Sequence, residues 1–571
     1  MLRANLRRVG RSSLLLAAAV ACSDGTSPPK PVPLPACTGG RGFAVSLAVD
    51  SFVSVDPIRD SGCVIFPANT SAIDSAEYLL IPQSAAGSPG VSSSFLLVGD
   101  TVHTPVAALM ASLATQSPAQ QFHDFLRQGE RLRWYGFAPQ AGAGAAAPSA
   151  LLLAGPPTVG SSRTFSLCAK IDCSSFKTVT ATAKVVQGHI ALYVDNLAPT
   201  ANGLIQADFD TLAATFNNRL YPLDTTAFGR ESDIDNNTVV IVLMTNAVNQ
   251  LVSASQCGSS GFVAGFFFAA DIDPQFAKDN RVNHGEIFYS LVADSAGTLS
   301  CSHTRTQVKR LAPITFVHEF QHMISFNRHV LVAGAGGQAE VLWLNEGMSH
   351  FAEELGGRSY LPGTSADSAT FSRFVIGDLY NAYQYLDATG GHYLLADAGI
   401  GTLAERGAMW LFVRYITDRF RADTSFAATA AFTRKLEDST RTGADNVTAQ
   451  TGVAFDTLVA RWGLANWVSD LVVPGFTARP ELTYTSWDFR TTYGSLHGSD
   501  PANFPKAFPL VPTASAGDLT NVAGTLRAGS GVYHRALQAP LAAAFQLQFG
   551  DAAGNYLPAN IVPRLTIIRI R

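Results

Sequence analysis

The stretch "FVHEFQHMI" occupies residues 316–324, and its reading decides what the rest of the chain is for. His318 and His322 lie four apart. On a helix both rings would leave one face, with Cβ atoms roughly 5–6 Å apart, close enough to share one metal ion. Glu319 follows the first histidine. It would stand beside the metal rather than on it, where a carboxylate can take a proton from a metal-bound water. Pro313 suits the first turn of such a helix, so the expected span is about 313–327, with "FNRH" leading out of it. With 12 histidines in 571 residues, HExxH arises by chance in roughly one such chain in a hundred. The pattern therefore calls for a third ligand.

A third histidine in the extended pattern HExxHxxGxxH is excluded. Ser325 stands at the glycine position and Arg328 at the histidine position, and His329 comes one residue late. The segment "WLNEGMSHFAEELGG", residues 343–357, fits better. Leu344, Met348, Phe351, Ala352 and Leu355 share one helical face, and Glu346, His350 and Glu353 share the other. Gly356 and Gly357 are expected to end this helix. Glu346 is the expected third ligand, completing a His₂Glu set that leaves zinc an open position. His350, one turn on, could orient a ligand from behind. A solvated surface helix would carry the same residue types, so the segment gains its meaning from the HExxH stretch before it.

Together these segments resemble the gluzincins, metallopeptidases with HExxH and a downstream glutamate. "WLNEG" is the form of that segment in the aminopeptidase branch, and "HEFQHMI" with "WLNEGMSHFAEE" looks most like the hyicolysin family of secreted bacterial metallopeptidases. The resemblance covers roughly residues 165–470. It implies one zinc ion on His318, His322 and Glu346, with Glu319 as base. The interval from His322 to Glu346 is longer than usual for gluzincins. "AGAGGQ" (333–338) is the expected loop that absorbs the excess, and Glu353 and His350 stand as alternative ligands. No segment of the GAMEN type that holds a substrate amine is found, which favours endopeptidase action. Tyr380, Tyr383, Tyr385, His392 and Tyr393 are the candidates for stabilising an oxyanion.

The chain begins "MLRANLRRVGRSSLLLAAAVAC". Arginines followed by a short apolar run make a signal peptide over 1–21, too short to span a membrane in the mature protein. Small residues before Cys22 resemble a lipobox, which implies a lipidated Cys22; an ordinary cleavage site is the alternative. The Pro-rich stretch after it reads as a tether over 22–42. Six further cysteines, an even number in an exported chain, favour disulfides between sequence neighbours: Cys37–Cys63, Cys168–Cys173 and Cys257–Cys301. No CxxC occurs, which argues against cysteine zinc ligands. With 40 basic and 44 acidic residues and a net charge of -4, nothing suggests a nucleic-acid surface.

Runs such as "CVIFP" (63–67), "EYLLIP" (77–82) and "SFLLVG" (94–99) predict a β-sandwich-like domain over 43–139. A small-residue linker follows over 140–163. Strand patterns at 178–186, 190–195, 238–244 and 286–292, then helical patterns from 311 to about 470, predict an α+β, zincin-like catalytic domain over 164–480. "LTYTSW", "FQLQF" and "LTIIRI" predict a C-terminal β module over 481–571. "DIDNN" (233–237) offers Asp233, Asp235 and Asn237 to calcium, or is a polar turn feeding the next strand. The expectation is an exported zinc endopeptidase, membrane-bound only through a lipid anchor, acting on proteins or peptides. A catalytically inactive zincin-fold binding protein and a surface adhesin or glycan-binding lipoprotein are the rival readings.

Overall fold

The helix that carries the histidines starts earlier than Pro313. It runs Arg305–Phe326 and is opened by a capping box, in which Thr304 accepts from the Gln307 amide and the Gln307 side chain accepts from the Thr304 amide. That box, rather than the proline, is the start signal; Pro313 lies inside the helix and forfeits one intrahelical bond. The computed structural model describes residues 32–37, 41–104, 115–138, 155–361 and 366–571. The signal segment, Cys22 and most of the expected linker lie outside the described residues.

The HExxH helix rests on a mixed sheet. Five strands precede this sheet in the chain: β1 (Phe43–Ala44), β2 (Phe52–Val55), β3 (Cys63–Phe66), β4 (Ala76–Ser84) and β5 (Ser92–Gly99). The sheet itself is built from β6 (Ser162–Cys168), β7 (Phe176–Gln187), β8 (Ile190–Asp195), β9 (Val240–Met244), β10 (Gly265–Phe267) and β11 (Ile287–Ser290). Their order is β10-β11-β9-β8-β7-β6. β8, β9 and β11 run parallel, and β10 closes the edge antiparallel to β11. Phe316 and Phe320 pack the helix onto Phe216, and Phe316 also meets Phe288 of β11. Gly265 permits this approach, because a Cβ there would stand 2.4 Å from Thr315 Cγ2 on the helix. The helices Leu342–Arg358, Ser368–Asp387 and Leu403–Phe420 follow it in the α part, with Phe426–Glu437, Gly443–Thr451 and Phe455–Val468 after them. The α+β expectation holds, as do the strands read at 178–186, 190–195, 238–244 and 286–292, within a few residues at their ends.

The β modules correct the expected domain map. The C-terminal strands are β12 (Thr513–Ala516), β13 (Asn521–Arg527), β14 (His534–Gln538), β15 (Phe545–Gly550) and β16 (Pro563–Arg569). They form two five-stranded sheets with the N-terminal strands, β1-β3-β15-β5-β13 and β12-β14-β4-β16-β2. The two ends of the chain therefore build one sandwich, not two modules. Its core mixes Val64, Phe66, Leu80 and Phe95 with Leu526, Leu547, Leu565 and Ile567. β4 is buried along its length: β14 and β16 pair its edges, Tyr78 and Leu80 face the sandwich core, and Leu79 and Ile81 face the larger core on the other side. "LTYTSW" forms no strand and leads into the helix Phe489–Ser499, whose Tyr493 packs on Tyr383.

Two further corrections follow. Residues 32–37 are not free tether: Leu34 N–H donates to Gly554 O, Tyr556 N–H donates to Val32 O, and Cys37 bonds Cys63. The helix Pro118–Leu132, placed by the sequence in the first β domain, packs instead on the six-stranded mixed sheet, with Phe122 edge-on to Phe266. All three expected disulfides are present. Among the described residues no helix is long and apolar enough to cross a membrane.

A chain cut after residue 510 would lose both neighbours of β4, β14 and β16. Loss of solubility and of a single cooperative unfolding transition is expected; a soluble fragment 23–510 with an unchanged melting curve would refute it. Asp271, fully buried just after β10, accepts hydrogen bonds from Asn283 N (2.6 Å) and Tyr289 OH (2.6 Å). Burial outweighs these bonds and pushes its pKa up to about 7. A carboxyl whose folded pKa is raised stabilises fully below its unfolded value near 4, and loses that contribution as pH rises through about 7. Asp271→Asn, neutral at every pH, should therefore gain on the wild type between pH 4 and 8, by up to about 4 kcal/mol. Urea unfolding at the two pH values measures it, and an unchanged difference would contradict the assignment.

Candidate metal centre

His318 and His322 leave the HExxH helix one turn apart, as the four-residue spacing dictates, and both are buried. Their Nε2 atoms face each other at 3.1 Å. The opposite ring nitrogens are tied down. His318 Nδ1 lies 2.6 Å from Glu353 Oε1, and His322 Nδ1 lies 2.7 Å from Asn345 Oδ1. Asn345 Nδ2 donates to Glu130 Oε2 at 3.2 Å, so its oxygen is turned to the histidine. A carboxylate and an amide oxygen can only accept. Both Nδ1 atoms therefore carry the proton, and both Nε2 lone pairs point into one space.

Glu346 supplies the third donor. Its Oε2 stands 3.8 Å from His318 Nε2 and its Oε1 stands 3.9 Å from His322 Nε2. Glu346 is 2% exposed, yet its Oε1 has no hydrogen-bond partner. Two facing lone pairs and an orphaned carboxylate oxygen are a donor set short of a cation. Donor separations of 3–4 Å suit four-coordinate zinc, whose bonds run about 2.0–2.2 Å to nitrogen and oxygen. The residues present fit the zinc ion that the sequence implies.

The surrounding charges hold these groups in ligand form. Burial works against the Glu346 carboxylate, but the guanidinium groups of Arg406 and Arg127 outweigh it and keep the carboxyl well below the usual range. Arg406 Nη1 lies 3.4 Å from Oε2 and Arg127 Nε lies 3.9 Å from Oε1. Burial, reinforced by Arg127, keeps His322 from protonating. Glu319 lies beside the donors. Its Oε2 accepts from Phe267 N–H of the edge strand at 2.8 Å, and burial raises its pKa. Glu319, His318, Glu353 and His123 line one cavity of about 270 Å³.

The structure thus brings His318, Glu319, His322 and Glu346 together. Glu353 and His350 stand behind His318, with which they form a second possible metal-holding group; Glu353 holds His318, and His350 Nδ1 lies 3.1 Å from Glu353 Oε1 and 2.9 Å from Asp378 Oδ1. The long interval before Glu346 is filled by a π-helical continuation, Asn327–Val332, and a short 3₁₀ turn, Gly334–Gly336, rather than by a loop alone. The second helix does not stop at Gly356 and Gly357. It runs on to Arg358, and the two glycines seat Phe374, whose ring and Cβ come within 3.0 Å of where their Cβ atoms would be.

None of the oxyanion candidates reaches this cavity. Tyr383 OH accepts from Lys506 N–H, Tyr385 OH bonds Ser530 Oγ, and His392 pairs with Glu405. Tyr380 stands edge-on to Phe504, and Tyr393 lies under Arg527. Asp233 and Asp235 gather with Glu286. Asn237 does not join them as an oxygen donor, because its oxygen accepts from Val239 N–H and its NH₂ donates to Asp235. That geometry is the turn that feeds β9.

Asn345, Arg406 and the helix Pro118–Leu132, with its His123, Arg127 and Glu130, are the site residues that the sequence reading missed. Asn345 sat in "WLNEG" with a legible type but no assigned partner. "PAQQFHDFLRQGERL" carried a capping box at Ser117 and Gln120 that would have marked a helix.

No family model matches the chain, and no curated protein matches it. Among solved structures, an aminopeptidase N family protein from Idiomarina loihiensis is similar over 53% of this chain and 46% of its own, at 12% identity and a TM-score of 0.29. The chain thus spans less than half the length of that protein.

If Glu353 and Asn345 orient the two rings, Glu353→Ala and Asn345→Ala should each weaken zinc binding about 10–100-fold. Competition against a fluorescent chelator measures this, and affinities equal to wild type would remove both from the site.

Proposed function

We propose that this protein is an exported zinc peptidase that hydrolyses internal peptide bonds. The observation that carries the reading is the pair of imidazole Nε2 atoms 3.1 Å apart, closed by the unpartnered Glu346 oxygen and flanked by Glu319. His318, His322 and Glu346 would hold the metal. A zinc ion bound there supplies Lewis acidity, which makes water a nucleophile near neutral pH and polarises a carbonyl.

The remaining work falls to the chain. Glu319 is fixed through Oε2 by the Phe267 amide, which leaves its other oxygen to take a proton from water and pass it to the departing amine. His123 has no hydrogen-bond partner among the described residues and lines the same cavity; we assign it the donor to the developing oxyanion. Three disulfides support the exported part of this reading, since such bonds persist in oxidising compartments. Attachment through a lipidated Cys22 remains the proposed anchor.

Purified 23–571 is expected to bind one zinc per chain and to cleave casein or quenched peptides, with loss of activity to a chelator. Glu319→Gln should keep the metal and lose at least about 10³-fold in kcat. His123→Ala should keep the metal and lose about 10²-fold in kcat with KM little changed. Bound zinc with no cleavage across a broad peptide library would favour an inactive binding protein. No zinc at all would remove the site.

A further inference from the structure

A second cavity, of about 800 Å³, lies at the far end of the helix Leu342–Arg358. Twelve residues of helix separate Arg358 from Glu346, roughly 18 Å along the axis, so this space is distinct from the metal centre. Its wall carries four arginines, Arg219, Arg358, Arg414 and Arg421, and no acidic residue.

The carboxylates behind the wall do not balance these cations. Glu354 meets Arg358 at 2.6 Å and Arg414 at 3.3 Å, and Asp418 meets Arg414 at 2.7 Å and Arg421 at 3.0 Å. Glu354 is further occupied by the indole N–H groups of Trp410 and Trp487. Arg219 meets no carboxylate among the described residues. It donates only through Nη1, to Ser359 O and Oγ, and its guanidinium lies 4.0 Å over the Tyr360 ring. The Nε of Arg414 is buried without a partner. Exposed Asp423, near Arg421, adds one carboxylate outside the wall. Four guanidinium groups therefore face three carboxylates, none of them in the cavity.

Like charges held this close oppose one another. Burial lowers the pKa of Arg421; Asp418 works against that, and Arg414 and Arg358 add to it. Besides its contact with Asp418, Arg421 donates to the neutral hydroxyls of Thr429, Thr485 and Ser486. Such a fork of guanidinium and hydroxyl donors suits an oxyanion. The volume lies within the roughly 300–1,000 Å³ of small-molecule sites and far exceeds one phosphate. Pro222, Leu223, Leu355 and Phe426 give it an apolar side.

We propose that this cavity binds a phosphate or sulfate group carried on a small organic body, with Arg219 and Arg421 as its principal donors. The site is independent of the peptidase reading. Isothermal titration of purified 23–571 with inorganic phosphate, inorganic sulfate and glucose 6-phosphate, in a chloride buffer of constant ionic strength, tests it. Saturable binding at one per chain is expected, tighter for the ester than for the free ion. Arg219→Gln and Arg421→Gln should each weaken it at least tenfold. Because Arg219 pairs with no carboxylate, its loss orphans no acid, and its variant should melt within a few degrees of wild type with unchanged zinc content. No saturable binding of any of the three probes, or equal binding by the Arg219→Gln variant, would overturn the proposal.

Discussion

Two imidazole lone pairs held 3.1 Å apart repel unless a cation lies between them, and the rest of the site is organised to hold them there. One helix presents the rings. The next supplies Asn345, Glu346 and Glu353, so a single helix gives both the third donor and the two groups that aim the first pair. Such a segment must be buried on every side. Helix Leu342–Arg358 is, and its approach to helix Leu403–Phe420 depends on Gly347, where a Cβ would stand 2.9 Å from Val413.

Burying that much charge requires compensation from elsewhere in the chain. Arg406 comes from helix Leu403–Phe420 and pairs both Glu346 and Asp124. Arg127 and Glu130 come from a helix nearly 200 residues before the histidines, and Glu130 fixes the orientation of Asn345. The edge strand β10 contributes one amide, which holds Glu319. An ionised group in such surroundings is tolerable only when each neighbour is in place, which is why the site draws on five separate segments.

The sandwich shows the same dependence on distant sequence. β4 lies in the interior of its sheet only because β14 and β16, from the far end of the chain, occupy its two edges. Edge strands left open would expose unpaired backbone groups, and here each half covers the other. The two halves carry the same alternation of apolar and polar residues, which is how each read as a module of its own.

Local chemistry was legible along the chain: the i, i+4 histidines with their adjacent glutamate, the Glu346 segment, the strands of the central sheet and the pairing of neighbouring cysteines. These depend on spacing along one helix or strand, or on nearness in the chain, and spacing is visible in a linear string. Tertiary structure alone decided that Glu353 and Asn345 aim the rings and that His123 faces the cavity. It also decided that Phe374 fills the notch at Gly356 and Gly357, which had read as a helix stop, and that the chain ends share one sandwich. Each of these is a contact between residues far apart in sequence, set by which faces pack together. No periodicity within a single segment records its partner.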